Sequence, residues 1–385
     1  MPSVLPLWEA PASRVKYRIA VGGDILPPFG AGPLAVDWAA VAARLRLDDI
    51  DLSFANLECT LECAHLPVRK KFGMGSAITV EAGVLEYLRA LNCRVAGIAN
   101  NHIFDFGHEG ITRTRNLLIE HGIHPLGCLA HPADRPQAFI WSPNGRVKVG
   151  LWACSNFGPA PTKTTVGIEE VSASRAREAL STLRERGAQC CIALLHAGLE
   201  RTNRPDPADA ARMQAFTDVG FQVVAACHSH RISGYAEIPA PGTPAFCFYG
   251  LGSIASVCQY TPLESEGILA VLGLDEDGRL VSVEARPVAL QPDGWGSAAD
   301  GEAAEAILQR FTRLSEEIRT GEYQRLFYQE VSQSLVSHQL HDTLRAFQQG
   351  GCAGILQKLK RLRGRHFVQL YKKIAMRFRP ASSQR

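Results

Sequence analysis

Short apolar runs, each broken off by a polar residue, recur along most of this chain and alternate with stretches of helical periodicity. Tyr17–Val21 runs into Gly22-Gly23-Asp24, and Ile50–Ala55 runs into Asn56-Leu57-Glu58. Arg94–Ala99 leads to Asn100-Asn101-His102, Cys190–Leu195 to His196, and Gln222–Ala226 to His228. Between them Thr79–Leu91, Glu109–His121, Ser172–Arg186 and Ala208–Val219 carry apolar residues at helical spacing. Val147–Ala153, Ala245–Tyr249, Gly267–Leu272 and Leu280–Pro287 read as further strands. An Asp-Gly turn in the stretch GLDEDGRL pairs the last two as a hairpin. Strands that alternate with helices predict an α/β layered fold.

In such sheets ligands bind beyond the carboxyl ends of the strands. Here those ends carry Asp24, Glu58, Asn101, His102, His196, and then His228 and His230. One aspartate after a strand is usually a turn or cap residue, and one histidine is usually a satisfied polar core group. Five strand ends in one domain, all with metal-capable groups, point instead to a shared centre. Carboxylate, amide oxygen and imidazole together suit Mn, Fe or Zn. Cysteine is absent from these positions, which argues against a structural zinc site.

Other chemistries find little support. The glycines of GGDILPPFGAG lack the Lys-Ser/Thr of a phosphate-binding loop and the spacing of a dinucleotide fingerprint. No G-x-S-x-G elbow is present. The 11 cysteines are odd in number and irregularly spaced, many inside apolar runs, so they read as small hydrophobes in a reducing, cytoplasmic setting. No basic-then-apolar leader opens the sequence, and no stretch is apolar enough to span a bilayer. Arg69-Lys70-Lys71 reads either as a solvated face or as an attractor for an anionic substrate.

The pattern changes after about residue 290. A Gly/Asp/Ser-rich linker gives way to helical periodicity alone, with Leu308, Phe311, Leu314 and Ile318 in one stripe, a second helix over Val336–Phe347, and a last one through Phe367, Leu370, Tyr371, Ile374 and Phe378. The chain therefore divides into an α/β domain over 1–292 and a helical extension over 293–385. Of the 41 Lys and Arg residues, 11 fall within 343–385, which has no Asp or Glu; the remainder holds 30 basic against 38 acidic residues. The net charge of +3 thus conceals an acidic domain and a basic tail. A basic amphipathic helix suits an anionic membrane surface, or a core-packed helix with its charges in water. No aromatic-rich module accompanies it, so nucleic acid is not expected as a partner.

Taken in order, the blocks GGDIL (Gly22–Leu26), ANLE (Ala55–Glu58), ANNHIFDFG (Ala99–Gly107), HAGLE (His196–Glu200), the stretch Arg204–His230 ending in CHSH, and YGLGSI (Tyr249–Ile254) resemble the capsule-synthesis CapA proteins, or PGA-cap domain, a branch of the calcineurin-like metallophosphoesterases. The resemblance covers roughly Tyr17 to Pro287. It implies a layered calcineurin-like sandwich and a centre for two divalent ions. Glu58 would bridge them, with Asn101, His196 and His228 around one and Asp24 and His230 around the other. His102 would face the substrate as a catalytic residue, oriented by Asp105. Asn100, Lys71 and Glu200 are the candidate substrate contacts. The resemblance further implies a phosphoesterase-like hydrolase, or a metal-bearing component of poly-γ-glutamate or capsule assembly, acting on an anionic small molecule or polymer. Two blocks depart from the pattern. Leu26 stands where the wider superfamily has a histidine ligand, and Gly250 and Ser253 replace the Ser and Asn of the late block.

Overall fold

A computed structural model describes residues 3–11, 14–27, 36–69, 77–131, 133–158, 160–162, 166–257 and 261–333. Lys71, the helix expected over Val336–Phe347 and the basic segment that follows lie outside the described residues.

Two sheets face each other. The first runs in the order Leu5–Glu9, Leu280–Leu290, Glu266–Leu274, Tyr17–Leu26, Leu52–Leu57, Val95–Gly97, His124–Leu126. The second runs Tyr235–Ile238, Ala245–Phe248, Val223–Cys227, Cys190–His196, Val149–Ser155, Ala138–Trp141. In each, strands expected from apolar runs form a parallel centre; antiparallel strands complete both edges of the second sheet and one edge of the first, whose other edge, His124–Leu126, is parallel. The Glu266–Leu274 and Leu280–Leu290 strands form the expected hairpin.

Side-chain alternation along the strands builds the layers. Val149, Leu151, Cys190, Ile192, Leu194, Val223 and Ala225 meet Ile19, Val21, Leu52 and Phe54 between the sheets. Their neighbours Trp152, Cys154, Cys191, Ala193 and Val224 face outward, onto Ala176, Ala179, Met213 and Phe216 of the helices Ala173–Glu185 and Pro207–Val219. The helices Val84–Ala90 and Gly107–Glu120 cover the outer face of the first sheet through residues such as Leu85, Leu88 and Ile111. The result is the expected layered α/β sandwich.

Three details differ from the pattern read in the sequence. Thr79–Val80 is a short strand paired with Thr60–Leu61, and helix begins only at Val84, because the backbone from Ile78 to Val80 is bonded to Thr60 and Glu62. Leu5–Glu9 adds an edge strand despite Pro6, a position where a missing N–H is tolerated. The helix Gly301–Arg319 lies past residue 292, yet it packs Ala304, Ile307, Phe311 and Leu314 into the inter-sheet core. The contacts divide the chain into one compact unit, Met1–Tyr323, and a second, Gln324–Arg385. Among the described residues, no helix is long and apolar enough to cross a membrane.

Candidate metal centre

The same alternation that builds the core places polar groups at its carboxyl end. Leu52 and Phe54 face inward, so Asn56 and then Glu58 follow them on that face. Ile192 and Leu194 lead to His196 in the same way, and Val223 and Ala225 lead to Cys227. In the Tyr17–Leu26 strand the register shifts between Val21 and Asp24, which turns Asp24 inward. That bulge requires glycine. A Cβ on Gly23 would lie 1.9 Å from the Gly252 carbonyl oxygen, and the adjacent Asp24 amide donates to that same oxygen.

Asp24 and Glu58 are fully buried, and His196, His228 and His230 nearly so. His196 Nε2 lies 2.7 Å from Asn101 Oδ1, 2.9 Å from His228 Nδ1 and 3.4 Å from Glu58 Oε1. A single ring nitrogen has one proton or one lone pair and satisfies one of these partners. On the other side, His230 Nδ1 is 3.5 Å from Asp24 Oδ2 and its Nε2 is 3.8 Å from Glu58 Oε2. Glu58, His196 and His228 form one group able to hold an ion, and Asp24, Glu58 and His230 form another. Glu58 belongs to both. Neither of its carboxylate oxygens has a hydrogen-bond partner. A buried carboxylate without compensation costs several kcal/mol. The orphaned Glu58, ringed by imidazoles and an amide oxygen, is what a borderline divalent ion requires, so the residues present fit such an ion.

The electrostatics follow from this crowding. Burial alone would depress His196, but the Glu58 and Asp24 carboxylates outweigh it and raise the imidazole to about 9. His228 is driven well below the usual histidine range by burial and by the neighbouring His196 and His230. Burial also opposes ionisation of Asp24, yet His196, His230 and the Asn56 amide together hold its carboxyl below the ordinary range. His228 and His230 both adopt positive φ, 100° and 55°. Such conformations cost non-glycine residues on the order of 1–3 kcal/mol each and collect at functional sites.

His102 lies at the rim, its side chain 13% exposed. Its Nε2 is 4.0 Å from Glu58 Oε1, and its Nδ1 is 2.8 Å from Asp105 Oδ2. Asp105 is itself fixed by the Ile78 amide, which donates to Oδ2 at 2.6 Å. Asn100 corrects an expectation. It is fully buried, donates to Leu57 O and Asn56 Oδ1, and accepts from the His102 and Ile103 amides. Its amide is spent bracing the loop that carries Asn101 and His102, so it does not face substrate. Glu200 is exposed on the loop after the Cys190–His196 strand. Leu26 is buried in the core between the first sheet and its helices.

Two residues at the centre escaped the sequence reading. Asn56 donates to Asp24 Oδ1 at 2.7 Å, with His196 Nδ1 at 3.1 Å, which ties the two sheets together behind the ligands. Its signal was its place two residues before Glu58 on the same face. Cys227 stands 3.5 Å from His196 Nδ1 and forms a third possible donor group with Asp24 and His196. Burial, then the Asp24 carboxylate, push its thiol well above the ordinary value. Phe157 closes one side of the site, its ring centroid 4.0 Å from that of His228.

The model of the family described as "Bacterial capsule synthesis protein PGA_cap" matches residues 18–257. Two curated proteins from strains of Mycobacterium tuberculosis, each named "Probable polyglutamine synthesis accessory protein", are 28% identical over 249 residues, 59% of this chain. The chain spans 64% of the length of these relatives. Among solved structures, the calcineurin-like phosphoesterase YfkN from Bacillus subtilis is 15% identical with a TM-score of 0.42, covering 79% of this chain and 99% of that one. The Thermus thermophilus sulfate thiohydrolase SoxB is 14% identical with a TM-score of 0.43, covering 79% and 61%. Since the family model takes in most of the strands that carry the centre and every residue assembled in it, the chain belongs to the bacterial capsule synthesis PGA_cap family.

Proposed function

We propose that this protein is a metal-dependent hydrolase of a phosphoester or phosphoanhydride, acting on an anionic substrate in the synthesis of a capsule-type polymer. The observation that carries this reading is the orphaned, shared Glu58 carboxylate, set among donors from both sheets with the His102–Asp105 pair at the rim. Glu58, Asn101, His196 and His228 would hold one divalent ion, and Asp24, Glu58 and His230 the other. Bound there, such ions supply Lewis-acid polarisation of a phosphoryl oxygen and activation of water.

The chain's own residues do the rest. Asp105 accepts the Nδ1–H of His102 and so fixes the ring with Nε2 toward the centre. His102 Nε2 is then placed to hold a proton and pass it to the departing oxygen. Phe157 screens His228 from water on one side. Arg201 and Arg231, both reaching the buried Glu264 carboxylate, flank the loop of His228 and His230 and supply positive charge for an anionic substrate. A second reading, a metal-bearing component without turnover, is favoured by the word "accessory" in the relatives' names.

Metal analysis with assays on p-nitrophenyl phosphate and its bis-ester tests both readings. The hydrolase reading expects bound Mn, Fe or Zn, loss of turnover and metal in Asn101→Ala and His228→Ala, and a kcat lowered by roughly 10²–10⁴-fold with metal retained in His102→Ala. Metal without turnover on either ester under any added ion would leave the accessory reading.

A further inference from the structure

We infer that Cys227 is a ligand of this centre, supplying a sulfur donor beside Asp24; the assignment rests on the metal-centre reading above. Three observations carry it. First, strand alternation turns Cys227 to the inner face, in register with His196 on the adjacent strand. Second, its Sγ is 3.5 Å from His196 Nδ1, and the ligand atoms of Asp24, His196 and Cys227 all lie within 4.8 Å of one another. Third, the neighbouring group of Asp24, Glu58 and His230 shares Asp24 with it and contains Glu58, whose buried carboxylate has no hydrogen-bond partner and faces the imidazoles of His196 and His230 at 3.4 and 3.8 Å. The thiol also reaches the Leu195 carbonyl oxygen at 3.4 Å, a weak interaction for sulfur.

The consequence is metal choice. Carboxylate and imidazole alone accept Mn or Mg readily, whereas thiolate shifts preference to Zn or Fe(II). Ligation breaks the Cys227 S–H bond and forms a sulfur–metal bond, and the proton passes to the buffer, so uptake of Zn releases a proton that uptake through oxygen donors alone does not.

The test is cobalt substitution of the full chain. Titration with Co(II) should develop a thiolate-to-cobalt charge-transfer band in the near ultraviolet. Cys227→Ser and Cys227→Ala should both lose that band, with Zn affinity weakened by about tenfold or more and Mn affinity unchanged. Cys154→Ser, altered on the outward face, should keep it. Circular dichroism shows whether each variant folds, and the wild-type spectrum is informative by itself. Cobalt bound without a band, or a band that persists in both Cys227 variants, overturns the assignment and leaves the metal centre standing. Failure of the folded wild type to take up cobalt overturns both.

Discussion

At the scale of single residues, the candidate donors could be picked out because they follow closely on apolar runs. Strand alternation makes such a residue continue the face of the run before it. Glu58 and His196 could be found in this way, whereas His228 follows the inward-facing Cys227 and reaches the centre through its positive φ and not through alternation. Asn56 could not, because a polar residue two positions inside a strand end looks like an ordinary edge residue. Its importance lies in partners far along the chain, Asp24 and His196. Cys227 was hidden differently, since a cysteine at the end of an apolar strand reads as a small hydrophobe. The Asn56 link leads to a prediction. Asn56→Ala leaves buried Asp24 and the Asn100 amide each short of a partner. The variant should lose about 1–3 kcal/mol in urea denaturation. Its zinc affinity should fall by roughly 10–100-fold, because Asp24 loses one of the groups that orient it. Unchanged affinity would mean that the His228 amide, which also donates to Asp24 at 2.7 Å, holds the carboxylate by itself.

At the scale of elements, periodicity gave the type of most helices and central strands, but not what each packs against. The stripe of Leu308, Phe311, Leu314 and Ile318 marked a helix correctly, and nothing local said that it would close the open side of the sandwich. Phe311 is fully buried there, stacked 5.6 Å from Tyr235 and 6.5 Å from Phe248. The linker rich in Gly, Asp and Ser suggested a boundary near 292, but its short strand Gly296–Ala298 pairs with Leu280–Leu290 and holds the chain to the sheet. Short edge strands of this kind carry too few residues to show a period. The helix should therefore unfold with the sheets. Phe311→Ala should destabilise the protein by about 3–5 kcal/mol and lower its single melting transition. A variant that melts at the wild-type temperature, or in two steps, would make the helix an appendage.

At the scale of the whole molecule, the centre is where the two sheets are joined by polar groups. Asp24 and Glu58 come from the first sheet, and His196, His228 and His230 follow strands of the second. Between them the chain has buried a carboxylate that has no hydrogen-bond partner and is countered by the imidazoles around it, at a cost that the rest of the inter-sheet core must help to offset. An ion bound to both sheets relieves that cost only in the folded state, because the donors are scattered in the unfolded chain. Binding energy therefore appears as stability, about 2.7 kcal/mol at a free metal concentration 100 times Kd. Addition of Zn or Mn should raise the melting temperature, and EDTA should reverse the rise. Glu58→Gln separates this account from simple surface binding. At a pH above about 9, where His196 is neutral and no buried pair is broken, removing the buried charge should let the variant melt, in EDTA, at or above the wild-type temperature. It should then gain little on addition of metal, since the donor common to both groups is gone. A Glu58→Gln protein that is weakened in EDTA yet stabilised by metal as much as the wild type would show that ions bind without the bridging carboxylate, and that the sheets are not held together through it.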